Sequence, residues 1–172
     1  MKIHFEEIPD TGLNLEVSDS AWFPEGDWIR VGPLRVELFL SRQEQRVILD
    51  GRLMFTSRFA CDCCLESYDD VQDSRFRIDF EYLANNDPYW LTEDHQCPES
   101  EMDVVVLREP EIDIDATLAQ QVLLLLPVKR LCSESCKGLC PSCGQNLNKG
   151  TCTCHDQERE SPFQVLAKLK LK

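Results

Sequence analysis

The chain has 172 residues with 18 basic and 31 acidic side chains, a net charge of −13. That length is enough to bury one core without covalent staples, so one main domain with a small appendage is expected. So acidic a chain is a poor general nucleic-acid binder, because Lys and Arg contacts to phosphate supply most non-specific affinity.

The charge is uneven. Residues 127–172 hold eight basic and four acidic side chains, which leaves ten basic and 27 acidic in residues 1–126. The two parts carry +4 and −17, and the acidic part suits a basic partner such as a ribosomal protein. The opening "MKIHFEEIPD" lacks the basic start and apolar run of a secretory signal, and no stretch nears the ~20 apolar residues that span a bilayer. The expectation is a cytoplasmic protein with reduced thiols and no membrane partner.

Residues 1–33 are weakly patterned and punctuated by Pro9, Gly12, Pro24, Gly26, Gly32 and Pro33, with short strands near residues 3–5 and 28–31. Three segments then alternate with the period of a half-buried strand. Val36, Leu38 and Leu40 share one face of "LRVELFLS". Val47, Leu49, Leu53, Phe55 and Phe59 share one in "RVILDGRLMFTSRFAC", as do Phe76, Ile78, Phe80 and Tyr82 in "SRFRIDFEY". Short connections make antiparallel pairing the simplest topology. The opposite face gathers Arg35, Arg46, Arg52, Arg58, Arg75 and Arg77 among Glu37, Asp50, Asp73, Asp79 and Glu81. Such a face either positions phosphates or pairs its charges across strands, and the second reading is preferred.

Residues 84–103 form a polar loop that includes Cys97, after which "DVVVL" reads as one more strand. In "EIDIDATLAQQVLLLLP", Asp113 or Asp115 caps a helix that Pro127 ends. Leu118, Val122, Leu125 and Leu126 form its apolar stripe, widened by Leu123 and Leu124, which suits a lid on the sheet. Near the end, Ser161 and Pro162 open a short helix whose stripe of Phe163, Leu166 and Leu169 lies beside lysines. About twelve residues are marginal for an isolated helix, so this one is expected to dock.

The expected fold is α+β: a twisted antiparallel sheet or small barrel with a packed helix, plus a C-terminal zinc-knuckle tail and short helix. The division falls into residues 1–126, the β-rich body, and residues 127–172, the tail.

The tail concentrates thiols, with five cysteines in the nineteen residues of "CKGLCPSCGQNLNKGTCTC". Cys140-Pro-Ser-Cys143-Gly has the spacing of a metal knuckle, whose amides can face the sulfurs while glycine supplies the turn. Cys152 and Cys154 complete a four-sulfur set for structural Zn2+, with Cys132, Cys136 and His155 able to replace one ligand. Upstream, "CDCCL" gives Cys61 and Cys64 the same spacing. They offer half of a second site, a pair that folds over to meet the C-terminal thiols, or a turn with small buried side chains.

A thiol-disulfide oxidoreductase using Cys140 and Cys143 is the rival reading, but that chemistry belongs near a strand–helix junction and here a loop with further thiols follows. The three histidines, His4, His95 and His155, stand alone, and no phosphate loop or nucleophile elbow occurs. An all-cysteine zinc is closed to water, which argues against hydrolysis.

The run "LPVKRLCSESCKGLCPSCGQNLNKGTCTC" followed by "SPFQVLAKLK" resembles the YceD family of bacterial and plastid proteins needed for accumulation of large-subunit ribosomal RNA. "CDCCL" is similar to that family's Cys-x-Arg-Cys-Leu motif, with Cys61 and Cys64 on its cysteines and Cys63 where arginine is usual. "DATLAQQVLLLLPV" is similar to its acidic helix start, leucine-rich run and proline. The resemblance covers residues 34–172 and implies a non-enzymatic role in ribosomal RNA processing, stability or large-subunit assembly. The implied partner is large-subunit ribosomal RNA or its precursor, met directly or through a basic ribosomal protein, with no small-molecule substrate. On this reading Phe163, Leu166, Lys168 and Lys170 present the contact surface. A protein-binding adaptor that never touches RNA is the remaining alternative.

Overall fold

The computed structural model describes residues 1–84 and 104–154. Cys97, His155 and the proposed contact residues Phe163, Leu166, Lys168 and Lys170 lie outside them. The chain separates into two compact units. The sheet unit comprises Met1–Ala60 and Ser67–Lys129, and the cysteine unit comprises Cys61–Glu66 and Arg130–Lys172. The short segment Cys61–Glu66, which joins two strands in sequence, thus groups with residues some seventy positions downstream.

Among the described residues the sheet unit is mostly sheet with one α-helix. Its strands are β1 (Lys2–His4), β2 (Leu13–Glu16), β3 (Ile29–Gln43), β4 (Arg46–Ala60), β5 (Ser67–Tyr82), β6 (Val104–Leu107) and β7 (Glu111–Asp113). Five of them form an open sheet in the order β2-β3-β4-β5-β6, and β1 pairs with β7 in a second, two-stranded sheet. The alternation read from sequence is carried out in space: Val36, Leu38 and Leu40 of β3 and Val47, Leu49, Leu53, Phe55 and Phe59 of β4 are buried in one core. Of the four apolar residues expected on β5, Phe80 is fully buried, while Phe76, Ile78 and Tyr82 pack at the margin.

Of the two forms expected, the open sheet is the one found among the described residues, and the five strands do not close into a barrel. The "VVVL" strand β6 does return, but parallel to β5, with Asp79 opposite Val104 and Tyr82 opposite Leu107. A parallel neighbour needs a long connection, and residues 83–103 supply one.

Local chemistry explains the irregularities. β3 changes register against β4 between Val31 and Arg35, around Pro33, which has no N–H to give the ladder. Gly51 stands opposite Phe76, and a Cβ there would sit 2.3 Å from the Phe76 ring. The ring thus fills the space that glycine leaves on the core face.

The helix α1 (Ile114–Leu125) is capped by Asp113, whose carboxylate accepts from the Ala116 N–H at 3.0 Å. Ile114, Leu118 and Val122 are fully buried in the core, and Leu125 and Leu126 pack against it. Leu123 and Leu124 do not widen the buried stripe; they are 54% and 69% exposed. At 100° per residue they turn onto the opposite side of the helix.

Residues 1–33 hold more than their punctuation indicated. Phe23 packs edge-on against both Trp28 and Phe55 at 5.4 Å between ring centroids, and the Arg30 guanidinium lies over the Phe23 ring at 5.3 Å. On the outer face, Arg46 pairs with Glu81 at 2.8 Å, and Arg52 and Arg58 form two-pronged pairs with Asp73 and Asp69. Arg77 pairs with Asp79 on its own strand at 3.3 Å. Three of the six arginines, Arg46, Arg52 and Arg58, thus pair across strands, in line with the reading preferred from sequence.

Candidate metal centre

The cysteine unit is organised by two five-residue turns with the same backbone wiring. In the first, the Cys61 N–H donates to the Glu66 carbonyl at 2.9 Å, and the Leu65 N–H donates back to the Cys61 carbonyl at 2.9 Å. In the second, the Cys140 N–H donates to the Gln145 carbonyl at 2.8 Å, and the Gly144 N–H donates to the Cys140 carbonyl at 2.9 Å. Both turns end on a left-handed residue, Leu65 at φ 61° and Gly144 at φ 74°. Glycine adopts that conformation freely, whereas leucine is strained in it. Each turn aims two cysteines, three positions apart, at one point.

A second segment meets each turn. Asp62 grips Arg130 twice, donating its N–H to the Arg130 carbonyl and accepting the Arg130 N–H on its carboxylate, both at 2.8 Å. That brings Cys132 and Cys136 to the first turn. Residues 145–150 reverse the chain so that Cys152 and Cys154 reach the second. The reversal is tied down by the bridge between Leu139 and Asn146, and by Lys149 and Asn146, which both reach the Glu66 carboxylate, at 2.6 and 3.3 Å.

Two groups of four thiols result: Cys61, Cys64, Cys132 and Cys136, and Cys140, Cys143, Cys152 and Cys154. Within each group the sulfurs all lie within 4.8 Å of one another. Measured separations are 3.8 Å for Cys61–Cys136, 3.6 Å for Cys64–Cys132 and 3.3 Å for Cys140–Cys152. Four sulfurs at ~2.3 Å from a tetrahedral ion stand ~3.8 Å apart, whereas a disulfide holds its sulfurs at ~2.05 Å. The spacing is that of a coordination sphere. Cys61, Cys64 and Cys140 are buried, and the remaining thiols lie toward the surface. Cys63 belongs to neither group.

The electrostatics agree with a crowded anionic site. N–H groups aimed at sulfur stabilise thiolate, and neighbouring sulfurs oppose a second one. The Cys132 N–H, 3.4 Å from the Cys61 sulfur, is the main reason the Cys61 thiol is lowered to about 6. The N–H groups of Cys143 and Ser142 lower Cys140 to about 6. The Asn148 amide donates to the Cys136 sulfur at 3.3 Å and lowers that thiol as well. In contrast, Cys132 is pushed up to about 12 by Cys64 and Cys136, and Cys154 to about 12 by Cys143 and Cys152. Without a cation the protons are shared unevenly among four sulfurs; a divalent ion relieves that repulsion and displaces them.

The structure therefore brings the predicted quartet of Cys140, Cys143, Cys152 and Cys154 together. It gathers the spare candidates Cys61, Cys64, Cys132 and Cys136 into a second quartet. No local spacing could join Cys64 to Cys132, 68 residues away. Around the Cys140–Cys143 pair the described residues form turns, not the helix start that sharpens a redox thiolate.

Among the described residues, then, the chain joins a mostly β sheet unit with one α-helix to a turn-built unit holding two groups of four thiols. A family model described as "Large ribosomal RNA subunit accumulation protein YceD" matches residues 49–170, and the chain belongs to the YceD family. It is 27% identical over 175 residues to the Large ribosomal RNA subunit accumulation protein YCED homolog 1, chloroplastic, of Arabidopsis thaliana, covering 86% of this chain and 50% of that one. A 47-residue stretch is 40% identical to the protein of the same name from Zea mays, covering 27% of this chain and 16% of that one. The chain thus spans half, or less, of the length of these relatives. No solved structure matches it.

Proposed function

We propose that this protein is a non-enzymatic factor in the accumulation, processing or assembly of large-subunit ribosomal RNA. In this reading a structural Zn2+ on Cys140, Cys143, Cys152 and Cys154 gives the cysteine unit its shape. The family match over residues 49–170 carries the reading, because it takes in both thiol groups together with most of the sheet. An all-thiolate set suits Zn2+ and leaves no open position for a reacting water.

The partner favoured by charge is a basic ribosomal protein rather than naked RNA. Residues 1–126 carry −17, and four sheet arginines are already engaged by Asp or Glu. A cytoplasmic setting, where thiolates stay reduced, accords with the zinc reading.

Depletion of the protein in its native cell, with both ribosomal RNAs quantified, tests the role. Large-subunit RNA is expected to fall relative to small-subunit RNA, and an unchanged ratio overturns the reading. Pull-down with and without RNase separates the routes: retention of ribosomal proteins after RNase supports the protein contact, and its loss assigns the contact to RNA. Turnover of a disulfide substrate by metal-free protein would install the oxidoreductase reading instead.

A further inference from the structure

We infer that Cys61, Cys64, Cys132 and Cys136 hold a second structural metal ion of the zinc class, so that each chain carries two. The inference goes beyond the ribosomal RNA role and does not depend on it.

Four observations carry it. The four sulfurs lie within 4.8 Å of one another, with Cys61–Cys136 at 3.8 Å and Cys64–Cys132 at 3.6 Å, the edges of a tetrahedron around one ion. Donors already face the sulfurs: the Cys132 N–H at Cys61 and the Asn148 amide at Cys136. Such contacts beyond the ligands orient them and offset their charge. The turn that presents Cys61 and Cys64 repeats, hydrogen bond for hydrogen bond, the turn that presents Cys140 and Cys143. It keeps the left-handed fifth residue even though that residue is leucine. Finally, the donors are all soft sulfur, two of them buried, which excludes hard cations such as magnesium or calcium.

The two sites differ in reach. The Cys140 group closes within residues 140–154, whereas this one ties ligands 68 and 75 positions apart. Loading it releases the remaining thiol protons, so affinity for the ion falls as pH falls.

Native mass spectrometry of the reduced, zinc-loaded full chain reads the stoichiometry. Two ions per chain are expected. The double variant Cys64→Ser/Cys132→Ser should retain one, and so should Cys143→Ser/Cys154→Ser. A variant that unfolds is bypassed by titrating the unaltered, metal-stripped chain with Co2+ alone. Sulfur-to-cobalt absorption should then grow up to two equivalents. Saturation at one equivalent, or a Cys64→Ser/Cys132→Ser protein that still carries the full load, overturns the second site. Ribosomal RNA levels enter neither readout, so the functional reading stands or falls separately.

Discussion

Leu65 and Gly144 do the same work in two turns at different cost. Both are left-handed, at φ 61° and 74°, and Leu65 is 67% exposed, so no packing rewards its side chain there. A non-glycine residue in this conformation is strained by about 1–2 kcal/mol. Leu65→Gly should therefore strengthen the cysteine unit by up to about 1 kcal/mol, after the entropy that glycine adds to the unfolded chain. Gly144→Leu should weaken it by a similar amount. Zinc release against a competing chelator measures both, and a Leu65→Gly chain that loses zinc more readily contradicts the expectation. The same pair explains how much of the site was legible in the sequence. Cys140-Pro-Ser-Cys143-Gly announces its turn because the left-handed residue is glycine. "CDCCL" has the same cysteine spacing, but a leucine stands where the glycine would mark the left-handed residue, and the third thiol, Cys63, adds a competing ligand.

At the scale of elements, strand faces were readable because alternation is a local property of the chain. Leu53 of β4 is completely buried and was placed on the core face from its spacing alone. Leu53→Ala should cost about 2–5 kcal/mol in urea unfolding, the range for emptying a packed leucine site. Leu124→Ala on α1, at a residue 69% exposed, should stay within about 0.5 kcal/mol. Equal losses at the two positions would contradict the burial pattern. What spacing could not supply was direction and closure. The parallel placement of β6 depends on a long connection, and the aromatic packing of Phe23, Trp28 and Phe55 joins residues from irregular chain to a strand. The run of four leucines that ends α1 and includes its C-cap, Leu126, reads as one stripe, yet the helix turns Leu123 and Leu124 outward.

Over the whole molecule, acid should be the weak side. Arg58 and Arg52 hold the Asp69 and Asp73 carboxyls below their ordinary 3.8, and Lys149 holds Glu66 below its ordinary 4.5. A carboxyl depressed in the fold stabilises it above its ordinary value, and that stabilisation is lost as pH falls through the lowered one. The melting temperature should thus decline from about pH 4.5 downward. All three pairs are exposed, so the decline should be shallower in high salt and in Asp73→Asn. A melting curve flat to pH 3 would contradict it. The two thiol groups also differ in what they constrain. By chain entropy, tying a loop of about 70 residues is worth about 4 kcal/mol, and one of about 12 residues about 3 kcal/mol. That long reach has a consequence during synthesis. A ribosome adding ~5–20 residues per second makes Cys64 some 3–14 seconds before Cys132, 68 positions later. On the two-site proposal the nascent chain therefore presents two of the four ligands as unpartnered thiols for several seconds before the other two are made.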